Sequence, residues 1–166
     1  MVSHILLAVL CGLAVIQDVT TRKIRNLFNI VAAIAAFVCV LVTKENTWSQ
    51  VLLGFLAAFL SGFFLWKMGA IKAGDAKFLW TVGIIKGVSA YWWTLAYTLV
   101  AGGIMALGIL LWKRDYKKRY QRLWAYLKNL VFTRTYSRYE PENPQEAPFA
   151  LPMAVGCLVE YLLRFW

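Results

Sequence analysis

Hydrophobic residues fill this chain in long unbroken runs, parted by short polar breaks. The runs cover residues 2–17, 27–42, 48–66, 76–85, 91–112 and 149–166. None alternates with the period of a half-buried strand, and most are too long for the core helix of a soluble domain. Crossing ~30 Å of hydrocarbon at ~1.5 Å per residue takes about 20 residues. The first run reaches that length only if its helix continues to about residue 21, which puts Asp18 in its last turns. The fourth needs a helix from about residue 70 to about 90, carrying Lys72, Asp75, Lys77 and Lys86. The pattern therefore predicts an all-α integral membrane protein with six transmembrane helices, organised as a single polytopic domain over 1–166.

The first run has the length of a secretory signal, but its charges are in the wrong order. Nothing basic precedes it, whereas Arg22, Lys23 and Arg25 follow it. The only sizeable polar segment is 113–147. Within it Tyr116, Tyr120, Leu123, Leu127 and Leu130 recur at helical spacing among basic residues. That spacing predicts a cytoplasmic amphipathic helix lying on the inner leaflet, with a solvated basic connector as the alternative.

Charge placement fixes the number of spans. With six, one side receives Arg22, Lys23 and Arg25, then Lys67, Lys72 and Lys77, then nine more between 113 and 138. Fifteen of the 18 basic residues then share a side, and the other keeps Lys44, Lys86 and Arg164. Cytoplasmic loops carry such an excess, so both chain ends are expected outside the cytoplasmic membrane. Five spans would split the basic loops between the two sides. Composition agrees: 61% of residues are hydrophobic and 16% charged, against about 45–50% apolar and about 25% charged in soluble domains. A net charge of +10 would suggest nucleic acid for a soluble chain. Here it fits loops facing an anionic inner leaflet, and no nucleic-acid partner is expected.

Eight acidic residues remain to be placed. Glu45 falls in a short outer loop, Asp115, Glu140, Glu142 and Glu146 in the polar segment, and Glu160 in the last span, where Arg164 four residues on can pair with it. Only Asp18 and Asp75 lie at the cytoplasmic ends of separate apolar helices. A carboxylate at the edge of hydrocarbon is costly unless paired, protonated or hydrated, so such a residue is a functional candidate. Two of them meeting in a hydrated cavity would share a proton, one activating water while the other protonates a leaving group. The plainer alternative is that each pairs with Arg22, Lys23, Lys72 or Lys77. The helix-end rule alone would leave Asp75, near a helix N-terminus, as the ionised member and Asp18, near a C-terminus, as the protonated one. Cys11, Cys39 and Cys157 sit singly in apolar runs as packing residues, His4 is interfacial, and neither a metal site nor a cofactor is expected.

The local sequences add to this. The run Asp18-Val-Thr-Thr-Arg-Lys-Ile24-Arg-Asn26 resembles the Asp, basic residues, Ile, Asn pattern of the type IV prepilin peptidases. Ala73-Gly74-Asp75-Ala76-Lys77 resembles their Gly-x-Gly-Asp-x-Lys segment, and Pro152 their proline-bearing final span. The likeness covers essentially the whole chain, in the manner of the short, peptidase-only members associated with Flp- or Tad-type pili. It implies an intramembrane aspartic endopeptidase that removes the basic leader peptide from prepilin or pilin-like precursors at the cytoplasmic face, with Asp18 and Asp75 catalytic and no metal. Gly74 would let backbone or substrate approach Asp75, Lys77 would hold a lipid phosphate or substrate carbonyl or simply snorkel, and Asn26 would cap the second helix. In two places the chain departs from the pattern: Lys72 stands for the first motif glycine and Arg25 for a proline. Longer members carry an N-terminal region with two cysteine pairs linked to methylation, so cleavage alone is expected here. A preflagellin-type or other pilin-like signal peptidase is the neighbouring alternative. A small proton-coupled transporter using the two Asp residues, or a non-catalytic scaffold, belongs to other classes.

Overall fold

The computed structural model describes residues 2–22, 24–112 and 149–164. All secondary structure in them is helical: α1 (Val2–Thr21), α2 (Asn26–Thr43), α3 (Trp48–Lys67), α4 (Ala73–Trp112) and α5 (Ala150–Arg164). The first four are each long and apolar enough to cross a membrane, while α5 has 15 residues. The amphipathic helix expected within 113–147 lies outside the described residues. The chain divides into two compact units, 1–102 with 148–166, and 103–147. Of the second, the described part is the closing stretch of α4.

The helix ends follow from local chemistry. α1 closes on Arg22, whose backbone is left-handed (φ 53) and whose N–H completes the ladder onto the Asp18 carbonyl at 2.9 Å. α2 ends in the same way on Lys44 (φ 48), with its N–H on Val40. A left-handed residue is a standard way to satisfy the last carbonyls of a helix, although without glycine it carries a steric cost. Lys67 and Arg164 sit in the last turns of α3 and α5, where a cation complements the helix dipole.

Size decides which face of each helix turns inward. The buried face of α3 is Val51, Gly54, Ala58 and Gly62; that of α2 includes Ala32, Ala36 and Cys39. Large side chains point outward instead, among them Phe37, Leu60, Phe63 and Phe64. Water would penalise that arrangement, whereas lipid does not. Small inward residues let backbones touch. A Cβ on Gly54 would lie 2.3 Å from the Gly83 carbonyl oxygen, one on Gly83 2.4 Å from that of Gly54, and one on Gly62 3.1 Å from that of Ala76. These pairs run in opposite order along α3 and α4, so α3 lies antiparallel to the first arm of α4 (73–86).

A straight helix the length of α4, 40 residues, would span ~60 Å, twice the hydrocarbon thickness. It is broken at Gly87, where φ is 69 and ψ 172, a region that is essentially glycine-only. Beyond Gly87 the chain comes back. The Tyr91 hydroxyl lies 2.6 Å from that of Ser61, well down α3 from Gly54. Gly156 of α5 packs on Thr94 and Thr98, and Pro152, nearer the start of α5, packs beside Gly102. The start of α5 is at the Asp18 end of the bundle, so the second arm (88–102) returns toward that end. The fourth helix, expected from about residue 70 to about 90, instead starts at Ala73 and breaks at Gly87, where the chain reverses with helix on both sides.

The end of the bundle away from Asp18 is held by polar contacts. Lys86 and Glu160, both buried, form an ion pair. Arg164, expected to be the partner of Glu160, is only at the 4.0 Å limit and is mostly exposed. Asn46 donates to the Ile85 carbonyl at 2.8 Å, Ser3 to Glu45, and His4 lies on Tyr161 with ring centroids 5.0 Å apart. The three cysteines are free and buried.

Candidate active site

Asp18 faces the bundle interior because it continues the inward stripe Leu7, Leu10, Cys11 and Ala14 by one more turn. It is 1% exposed. Its Oδ2 accepts the backbone N–H of Ala150 at 3.0 Å. Ala150 is the first residue of α5, and the Met153 N–H to Phe149 carbonyl bond at 3.2 Å starts that helix. The first N–H groups of a helix have no partner of their own. Pro152 contributes none, and that of Ala150 goes to Asp18.

Asp75 is the third residue of α4 and is 2% exposed. Its Oδ2 accepts the Lys72 N–H at 3.2 Å, while the Lys72 carbonyl accepts the Ala76 N–H at 3.0 Å. This is the returning half of a capping box, with aspartate in the place of the usual glutamate. The sequence expected a helix N-terminus to favour charge at Asp75 alone. The end of α1 does lie at Asp18, but the start of α5 lies there too. A helix N-terminus therefore serves each carboxylate, and the contrast between them is smaller than their own helices imply.

The segment after α1 and the start of α4 are fastened to each other at several points. The Lys72 ammonium donates to the Arg22 carbonyl. The Asn29 side-chain amide donates to the Gly74 carbonyl at 3.0 Å, and Lys77 Nζ donates to Asn26 Oδ1 at 2.9 Å. A Cβ on Gly74 would lie 2.8 Å from the Ile24 carbonyl oxygen. Gly74, Asp75, Lys77 and Asn26 are thus gathered at the end of the bundle where α1 closes. Their local parts differ from those expected. Asn26 does not cap α2: Arg25 occupies the cap position without a side-chain bond, and the Asn26 side chain holds Lys77. The close approach that Gly74 permits is that of the Ile24 backbone.

Three participants were missed in the sequence. Asn29 had a signal, being a lone buried amide one turn into an apolar helix. Lys72 was weighed as a charge partner of the aspartates and noted as a departure from a pattern, but not as a link between their two segments. Ala150 acts through its backbone, and no side-chain pattern marks it. Among the described residues, no three His, Cys, Asp or Glu side chains gather where they could hold a metal ion. The cavity of about 570 Å³ between α1 and α2 is lined by apolar residues such as Leu6, Ile34 and Val38 and lies away from both aspartates.

A bundle with large apolar side chains outside, small ones inside and four helices long and apolar enough to cross a membrane is a multi-pass membrane protein. A model of the type IV leader peptidase family matches residues 5–110, a stretch that contains both aspartates. The chain belongs to that family, and it is a peptidase. No curated protein and no solved structure matches it.

Proposed function

We propose that the chain is an intramembrane aspartic endopeptidase that removes the basic leader from prepilin or pilin-like precursors. One observation carries the reading: the two carboxylates buried at one end of the bundle, Asp18 and Asp75, each accept a backbone N–H from the start of a helix. Fixed donors of this kind hold a carboxylate in place and support its charge without a solvent shell. In this reading the two acids meet over the substrate and share one proton. One carboxylate takes a proton from water as the water oxygen attacks the scissile carbonyl. The other gives its proton to the departing nitrogen, and the pair ends with one proton, as it began. Only the two side chains are needed for this sequence.

In this reading the bundle crosses the membrane six times, the arms of α4 being two of the crossings. Both chain ends lie outside and both aspartates at the cytoplasmic face. The reversal at Gly87 supports it, as do Arg22, Arg25, Lys67, Lys72 and Lys77 at the aspartate end. The anionic inner leaflet would meet these residues and the basic segment 113–147. The substrate would carry a short basic leader, a small residue at the cut and an apolar helix that lies against the spans.

The test is cleavage of a co-expressed prepilin by the wild type, Asp18→Asn and Asp75→Asn. Loss of cleavage in both variants, with the proteins still in the membrane, is the expected result. Cleavage surviving in either one removes that residue from the mechanism.

A further inference from the structure

Lys72 stands out because one residue touches both aspartate-bearing segments. Its backbone N–H donates to Asp75 Oδ2, and its ammonium donates to the Arg22 carbonyl. Arg22 is one turn past Asp18, and its N–H bonds back to the Asp18 carbonyl. Its left-handed backbone, φ 53, turns its own carbonyl out of the helix ladder. A non-glycine residue in that conformation is strained and persists where its surroundings hold it. A charged donor on that carbonyl is such a hold, and a cation also suits the C-terminal end of α1.

We propose that Lys72 is a positioning residue for the peptidase reaction, clasping the end of the Asp18 helix to the start of the Asp75 helix. The proposal rests on the reading of Asp18 and Asp75 as the catalytic pair. From Asp18 to Arg22 and from Lys72 to Asp75 the chain is a single helical turn in each case, so each link is short and stiff. Asn29 on Gly74 and Ile24 against Gly74 tie the start of α4 to α2 and the stretch before it. The Lys72 contact is the one that ends on the turn closing α1. Without its ammonium the segments stay joined, but the end of α1 is free to shift against Asp75. Chemistry that needs both carboxylates on one water and one amide is sensitive to such a shift, whereas substrate held along the spans is not.

The experiment uses the full-length protein in nanodiscs with a test substrate that has a basic leader, a small residue at the cut and an apolar helix. Rates are expressed per folded protein measured by gel filtration. Lys72→Met is expected to lower kcat about ten- to a hundredfold, the scale of small misplacements at a reacting centre. KM should stay within about twofold, and Lys72→Arg, which still donates to a carbonyl, should restore most of kcat. If Lys72→Met does not fold, Lys72→Gln takes its place with the same expectations at a smaller loss. Wild-type kcat in Lys72→Met overturns the proposal. So does a loss confined to KM, which would make Lys72 a substrate contact, or a failure of Lys72→Arg to recover. Asp18→Asn and Asp75→Asn are run in parallel: if they still cleave, the aspartic reading fails on its own account, whatever the Lys72 variants do.

Discussion

The backbone N–H of Ala150 donates to Asp18 Oδ2 at 3.0 Å, joining residues 132 positions apart in the chain. It makes the start of the last helix part of the surroundings of Asp18, so α5 is more than a lid on the bundle. In the aspartic reading this donor supports Asp18 as Lys72 supports Asp75, and changing the backbone at residue 150 should change the rate.

Replacing Ala150 by its α-hydroxy acid turns that amide into an ester and removes the N–H with little change of shape. A hydrogen bond to a charged group contributes about 1.5–3 kcal/mol, so kcat should fall roughly ten- to a hundredfold. Ala150→Pro is a poorer probe, because a ring carbon would stand where the hydrogen pointed. An unchanged kcat in the ester variant would mean that the contact plays no part in the chemistry.

Gly83→Ala should destabilise the bundle by about 1–3 kcal/mol, the usual penalty for overpacking. Its Cβ would lie 2.4 Å from the Gly54 carbonyl oxygen, and backbone cannot swing aside. Gly12→Ala is the control, since nothing lies within 4 Å of its Cβ. Thermal unfolding in mild detergent should separate the two, with Gly12→Ala at or above wild type.

The Lys86–Glu160 pair should behave as a buried ion pair does. Glu160→Gln leaves Lys86 without its partner in an apolar interior, at a cost of about 3–5 kcal/mol, and Lys86→Met, which leaves Glu160 only the more distant Arg164, should cost somewhat less. The double variant Lys86→Met/Glu160→Met removes both and should lie within about 1–2 kcal/mol of wild type. Additive losses in the unfolding cycle would show that the two side chains do not depend on each other.

Topology can be read by labelling introduced cysteines from outside the cell. Thr47 and Ser89, both exposed at the end of the bundle away from the aspartates, should react, whereas Arg25 should not. Labelling at Arg25 from outside would invert the proposed orientation. Protection of Ser89 would argue against the reversal at Gly87 standing at the outer face.

The substrate's charge can be tested as well. A leader stripped of its Lys and Arg should be cut more slowly in a membrane assay, because positive charge keeps it at the cytoplasmic face. Equal cleavage of both leaders would remove charge from the recognition step.

Much of this protein is local, and so was legible in the sequence. Helices form in lipid wherever an apolar run is long enough, because the backbone has no other way to satisfy its polar groups; α1, α2 and α3 lie within a few residues of the runs that predicted them. Asp18 and Asp75 were conspicuous because a carboxylate at the edge of such a run is costly. The fourth helix was expected to run on to about residue 90, and it breaks a few residues earlier because Gly87 can take a backbone that other residues avoid. Packing decided the rest. Glu160 has Arg164, four residues away, at 4.0 Å, but its closer partner is Lys86, 74 positions off, because α5 lies against the turn of α4. Asn26 looked like a cap and instead holds Lys77, 51 positions on. The helix-end rule weighed each aspartate by its own helix alone, and the start of a third helix, at Asp18, lay outside its reach. Hydrophobic length and charge are properties of a segment and can be read along the chain. Which donor reaches which acceptor depends on how close two helices come and at what register, and small residues spread over the whole bundle set that approach.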